Sequence, residues 1–300
     1  MGAVMTFYEE ISRNKRTTYF LFLFFFVLLF VLGYVFSFIS GDYIFMPIFG
    51  IFSIIYIVAS YYYSGGIVTA ISGAKLADMR QFRELHNVVE EMSIAAGIPK
   101  PAVYVIDDTA INAFATGRDP KHSVICVTTG CMQRLNRDEL TGVVAHEMSH
   151  IKNYDIRVMA IAAVLVGITV LLSDFLLRMF FWGGGRNRGR EGGKFMLVGI
   201  VVGVLLAILT PIIAQIIQLS ISRQREYLAD ASGAEITRYP LGLAGALEKI
   251  KNDKEILEVA NKATAHLYIA DPLRGQKLWF KGLFATHPPI DDRIAKLKAM

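Results

Sequence analysis

The sequence predicts an integral-membrane, α-helical protein with four transmembrane helices joined to a water-facing α+β domain. Three observations carry this expectation. Hydrophobic residues make up 54% of the chain and the mean hydropathy is +0.43, too apolar for an ordinary water-soluble protein. Four long runs, 17–40, 43–63, 157–182 and 195–221, carry few or no charges. The sequence between and after them shows short β-type runs and helical apolar spacing. The net charge of +5 is mild, and no basic stripe with interleaved aromatics appears, so nucleic acid is not an expected partner. Cys126 and Cys131 make no CxxC unit and read as buried apolar residues or reduced thiols. The first run is too long for a cleavable signal peptide and lacks a small-residue cleavage site.

Residues 1–63 read as a leader and a transmembrane hairpin. Arg13, Lys15 and Arg16 precede Thr17–Ser40, a run without charge. As a helix it rises ~36 Å, enough for a hydrocarbon core of ~30 Å. Gly41-Asp42 makes a tight turn, and Tyr43–Tyr63 returns, closing on Tyr61-Tyr62-Tyr63 at an aromatic belt. The basic residues ahead of the first run place both ends of the hairpin in the cytoplasm. Residues 64–156 read as the first part of the soluble domain. A Gly/Ser-rich linker over 64–74 leads to an amphipathic helix over Lys75–Ala96, with Leu76, Met79, Phe82, Leu85, Val88, Val89 and Met92 at helical spacing. Gly97-Ile98-Pro99 ends it. Three β-type runs follow, Ala102–Ile106, Ile111–Thr116 and Ser123–Thr128, with 117–122 as a hairpin connection. Residues 157–221 read as a second transmembrane pair around a Gly/Arg-rich loop, with a kink at Pro211. Arg186, Arg188 and Arg190 in that loop stand against the positive-inside rule for this pair. Residues 222–300 form the second part of the soluble domain. An even number of spans puts both soluble parts on one side, where they can form one domain.

The chemistry is concentrated at His146-Glu147-Met148-Ser149-His150. Asn136 and Glu139 stand at capping-box spacing ahead of it, and Leu140, Val143 and Val144 supply an apolar stripe, so the stretch reads as a helix. Two histidines four apart lie one turn apart on the same face and can ligate one Zn²⁺, while Glu147 can take a proton from a water that the metal activates. A gluzincin-type centre takes its third ligand, a glutamate, from a second helix and leaves one position open. Ser222–Asp230 follows the fourth apolar run directly and offers Glu226 as that ligand. Asp230, one turn on, is placed to accept a hydrogen bond from the free ring nitrogen of a ligand histidine. Alone, Glu226 with Asp230 reads as a solvated helix face; beside the His146 helix it reads as a ligand and its support.

His146-Glu-Met-Ser-His150, two membrane runs, Ser222-Arg-Gln-Arg-Glu-Tyr-Leu-Ala-Asp230 and Thr286-His287-Pro288-Pro289, taken together, resemble the HtpX family of membrane zinc metalloproteases and, more distantly, the CAAX prenyl proteases. The likeness covers essentially the whole chain. It implies an α+β gluzincin-type protease domain holding one Zn²⁺ per chain, on the cytoplasmic side of the cytoplasmic (inner) cell membrane. The implied activity is that of an endopeptidase degrading misfolded or damaged membrane proteins, often in stress responses. Its implied partners are membrane-protein or unfolded polypeptide substrates and the lipid bilayer. The resemblance supports a functional His-Pro motif, making His287 the candidate second electrophile for a tetrahedral oxyanion; the alternative is a histidine that positions the C-terminal helix. It makes Ile111–Thr116 the edge strand on which an extended substrate lies, with Asn112, Ala113, Phe114 and Ala115 as substrate-binding residues; the alternative is an ordinary internal strand. Arg223 is a candidate for assisting the site or for binding lipid phosphate, and Tyr227 for a hydrogen bond within the site or a place in the core. His86, His122 and His266 read as surface or packing histidines. Two competing readings stay open. One is a non-catalytic scaffold with a structural zinc, which would have no use for Glu147; the other is a protease that processes only a few substrates.

Overall fold

The computed structural model describes residues 7–183, 223–258, 264–270 and 288–300. Helices α1 (Phe7–Ser40) and α2 (Phe45–Ile71) form an antiparallel pair. The turn between them has Gly41 at φ +73° and an Asp42 Oδ1 that accepts from Ile44 N at 3.0 Å. Glu9–Phe38 and Phe45–Ile71 are each long and apolar enough to cross a bilayer. Their outward faces expose Tyr19, Phe20 and Leu23 of α1 and Ile51, Ile55 and Tyr63 of α2. A surface this apolar suits lipid, not water.

Both helices overrun the apolar runs of the sequence. Helix α1 begins ten residues before Thr17, so Glu10, Arg13 and Asn14 are helical. Residues 64–71 continue α2 where a linker was expected. The small residues there serve close packing: a Cβ on Gly65 would lie 3.4 Å from Gly117 Cα, and Ser64 and Val68 are buried. Small residues at a helix face let another backbone approach, which composition alone does not distinguish from flexibility.

The sheet contains β1 (Lys75–Leu76), β2 (Ala102–Ile106), β3 (Ala113–Gly117) and β4 (Ser123–Thr128), in the order β1-β2-β4-β3. Strands β2 and β4 are parallel and the other neighbours antiparallel. Asp119 caps the 3₁₀ turn Pro120–His122 that connects β3 to β4. The helix expected over Lys75–Ala96 is reduced to α3 (Arg83–Ala96). Lys75 and Leu76 instead pair with Val105 and Tyr104, and Asp78 Oδ1 closes a turn by accepting from Arg80 N and Gln81 N. Leu76 and Met79, which completed the helical stripe in the sequence, are exposed. Gly97 ends α3 in the left-handed region at φ +69°.

Two helices then carry the chain to the middle of the molecule: α4 (Thr129–Arg134) and α5 (Arg137–Lys152). Helix α5 starts with the full capping box, Asn136 accepting from Glu139 N and the Glu139 carboxylate from Asn136 N. Its residues from Leu140 to Ile151 are buried apart from Thr141. They pack against α3, β3 and two helices from the far end of the chain, α7 (Arg223–Thr237) and α8 (Pro240–Asn252). The last helix, α9 (Ile290–Lys298), lies on α7 and α8.

Helix α6 (Asp155–Gly183) leaves α5 at a bend of 83°. Tyr154 makes the bend with φ +62°, rare for a residue with a Cβ. Lys15 and Arg157 lie over its ring at 5.2 and 4.9 Å from the centroid. Val158, Ile161, Ala162 and Leu165 of α6 pack against Leu21, Phe25, Leu29 and Leu32 of α1. The described residues thus hold two helices that pass as spans, or three if the bent α5–α6 pair counts as one. The expected fourth run, 195–221, its kink at Pro211 and most of the Gly/Arg-rich loop lie outside the described residues.

Helices α5 and α8 touch at Gly142, where an added Cβ would fall 2.5 Å from Leu243 N and 2.8 Å from Leu243 Cα. Backbone cannot rotate away as a side chain can. Gly142→Ala should therefore cost ~1–3 kcal/mol by overpacking. Thermal unfolding of the detergent-solubilised protein reads this directly, and an unchanged midpoint would show that the two helices are not in this contact.

Candidate metal centre

Helical geometry brings His146 and His150 to one face of α5, with ring centroids 4.8 Å apart and planes at 87°. Their Nε2 atoms are 3.2 Å apart. Helix α7 presents Glu226 to the same point, Oε1 3.6 Å from His150 Nε2 and Oε2 3.8 Å from His146 Nε2. One ligand atom from each of the three lies within 4.8 Å of the others. A four-coordinate cation with bonds of ~2.0–2.1 Å needs ligand–ligand edges of ~3.3–3.4 Å. The observed separations lie close to that edge, so the three residues fit such a cation and leave its fourth position open.

Each imidazole is oriented through its other nitrogen. Asp230 Oδ1 is 3.0 Å from His146 Nδ1, and Asp155 Oδ2 is 2.9 Å from His150 Nδ1. A proton on Nδ1 directed at a carboxylate leaves the Nε2 lone pair for a metal. Asp230 is in turn gripped by Arg293 of α9, with Nε to Oδ2 at 2.8 Å and Nη2 to Oδ1 at 2.7 Å. Arg293 Nη1 also donates to Ile269 O at 3.0 Å and lies 3.7 Å from Glu226 Oε2.

Burial governs the protonation of this cluster. It pushes the Glu147 carboxyl up to about 7, aided by the charge of Glu226 and opposed by His150. Burial lowers His146, against its hydrogen bond to Asp230. It would lower His150 as well, but the hydrogen bond to Asp155 and the charge of Glu226 outweigh it and hold His150 up at about 9. Burial would raise Asp230; the Arg293 guanidinium and its hydrogen bonds hold that carboxyl down at about 2.

The expected edge strand is the outermost strand of the sheet, yet it is covered. All five residues of β3 are buried. Ala113 O accepts from Ile269 N at 2.9 Å, and the Asn112 amide donates to Ala270 O at 3.1 Å. The Phe114 ring meets Tyr268 edge-on at 5.0 Å. Ala115 N–H is hydrogen-bonded to the Glu147 carboxyl, so the outer edge of β3 faces the centre.

Tyr227 lies under Lys296, whose Nζ is 3.3 Å from the ring centroid, and Arg223 is exposed at the start of α7. His287 lies outside the described residues. The remaining histidines have other partners: His86 and His122 bond locally, to Ala77 O and Asp119, and His266 bonds across the fold to Met159 O. Cys126 and Cys131 are free, fully buried thiols, both pushed up by burial, Cys131 to about 12. Neither suits a nucleophile. Asp155 and Arg293 were not singled out from the sequence. Asp155 stands past the end of α5, outside helical register with His150, and no local pattern marks Arg293.

The model of peptidase family M48 matches residues 79–300. The Protease HtpX homolog of Caldanaerobacter subterraneus subsp. tengcongensis is 47% identical, covering 98% of both chains. That of Thermoanaerobacter pseudethanolicus is 45% identical, again covering 98% of both. A crystal structure of S. mikatae Ste24p aligns with a TM-score of 0.48 and 22% identity, covering 90% of this chain and 62% of its own length.

Two outcomes follow from the charges. Below about pH 9 a cation must displace the proton of His150, so affinity should rise with pH, by about tenfold per unit while one proton is released. Chelator-buffered titrations at several pH values measure it, and a pH-independent affinity would contradict it. Arg293→Met strands Asp230 as a buried carboxylate and should destabilise the protein by ~3–5 kcal/mol, read from denaturant unfolding; wild-type stability would contradict the pairing.

Proposed function

The chain belongs to peptidase family M48 as a membrane protease of the HtpX type, and on that premise we propose that it is a zinc-dependent endopeptidase. Its substrates are misfolded or damaged membrane proteins and other unfolded polypeptides. The observation that carries the reading is Glu147: fully buried, not a ligand, and on the same helix between the two histidines. A purely structural site has no use for it. Two imidazoles and one carboxylate with an open fourth position suit zinc.

Bound zinc would supply Lewis acidity towards a carbonyl and a water in that open position. His146, His150 and Glu226 hold it, one Zn²⁺ per chain. Asp230 and Asp155 keep the Nδ1 protons in place. Glu147, raised towards 7 by burial, takes a proton from the attacking water and returns it to the leaving amine. An extended substrate pairs along the outer edge of β3, lined by Asn112, Ala113, Phe114 and Ala115, beside Glu147. Pairing at Ala113 O requires Ile269 N to give up its bond there. His287 supplies the second electrophile for the oxyanion. Arg223, exposed where α7 begins, meets lipid phosphate, and half-buried Tyr227 packs under Lys296.

The protease domain faces the cytoplasm from a multi-pass position with four spans in the cytoplasmic membrane. The basic residues Arg13, Lys15 and Arg16 at the head of α1 support that orientation. With the ligands on elements that run directly from membrane segments, the site sits near the lipid surface, where substrates anchored in the bilayer are most accessible.

Glu147→Gln should retain one zinc per chain by metal analysis and lose proteolysis of an unfolded membrane protein by about 10³-fold or more, the loss of both proton transfers. Wild-type turnover in that variant would refute the mechanism. Glu226→Ala should lower the zinc content, and full stoichiometry would move the third ligand elsewhere.

A further inference from the structure

We propose that Asn14, at the head of the first membrane helix, is a positioning residue of the metal centre that acts on His150 through Asp155. The inference rests on the reading of His146, His150 and Glu226 as the metal site.

Asn14 is 1% exposed, although it sits among the charged residues Arg13, Lys15 and Arg16 at the end of an anchor helix. Membrane anchoring gives no reason to bury an amide there. Its Nδ2 donates to Asp155 Oδ1 at 2.7 Å and to Asn153 O at 2.9 Å. The other oxygen of Asp155 accepts from His150 Nδ1 at 2.9 Å. The Asn14 Oδ1 accepts from Arg225 Nη1 at 3.1 Å. One side chain thus ties the first membrane helix to the α5–α6 bend and to the residue preceding Glu226.

The position calls for a side chain that both donates and accepts, as the Asn14 amide does, to a carboxylate on one side and from a guanidinium on the other. Arg225 Nη1 also lies 3.5 Å from Asp155 Oδ1, the oxygen that Asn14 holds. Without the Asn14 donor, Asp155 is free to turn towards Arg225 as an ion pair, and its hydrogen bond to His150 weakens. The first membrane helix therefore does more than anchor the protease: through Asp155, 141 positions away in sequence, it fixes the orientation of one ligand.

The test uses the full chain in detergent and the dissociation constant for Zn²⁺, measured by chelator competition. Asn14→Ala removes both functions. Asn14→Asp keeps the shape and the acceptor but sets a second carboxylate against Asp155. Each should weaken zinc binding about 10- to 100-fold. In an Asp155→Ala background, Asn14→Ala should add almost nothing, because its route to His150 is gone. Thr18→Val, which removes the hydroxyl bond to Asn14 O on the same helix, should leave the constant unchanged. Wild-type affinity in both Asn14 variants would overturn the proposal. So would an Asn14→Ala effect of the same size with and without Asp155. Equal lowering of the zinc-free melting midpoint in both variants, with loss of native near-UV signal, would make Asn14 a packing residue and overturn it too. Failure of the wild-type chain to bind zinc would instead refute the metal reading itself.

Discussion

Seven ionisable side chains meet where water is excluded: His146, Glu147, His150, Asp155, Glu226, Asp230 and Arg293, none more than 5% exposed. A buried charge is tolerated only when opposite charge and hydrogen bonds compensate it. The rest of the fold is arranged to meet that condition. Helix α5 brings the histidines and Glu147, α7 the carboxylates of Glu226 and Asp230, α9 the guanidinium of Arg293, and the α5–α6 bend Asp155. The carboxylates of Glu147, Asp155, Glu226 and Asp230 gather around the guanidinium of Arg293, with Arg225 beside Asp155. A bound divalent cation would offset the excess of carboxylate. The same excess holds the His150 proton in place up to about pH 9.

Helix α5 was legible because every signal for it is local. The capping box spans four residues, the apolar stripe follows one face, and the histidine spacing equals one turn. Asp230 was legible for the same reason, one turn from Glu226. Arg293 was not, since its contact with Asp230 crosses 63 positions and depends on where α9 packs. Asp155 was missed because its relation to His150 arises from the strained turn at Tyr154, not from helical periodicity. Leu76 and Met79 fell at helical spacing by coincidence; the strand pairing of Lys75 and Leu76 decided otherwise. A strand was legible over residues 111–116, while the structure places it at 113–117 and covers it with residues 268–270, a product of tertiary packing.

The membrane part and the soluble part share their interior. One face of α1 is apolar and exposed, and the opposite face carries Leu21, Phe25, Leu29 and Leu32 against α6. At its head, Asn14 joins the polar network below the metal centre. Tyr56 of α2 adds a hydrogen bond to Val164 O of α6. Helix α5 thus turns directly into the apolar helix α6, and α1 reaches the same network through Asn14, so the centre shares contacts with the apolar helices.

X-ray absorption at the zinc edge of the purified chain tests the central claim most directly. The account predicts one zinc per chain with two imidazole nitrogens and one carboxylate oxygen at ~2.0–2.2 Å, and a fourth light-atom ligand in the open position. A sulfur shell at ~2.3 Å, or a spectrum without imidazole scattering, would contradict it.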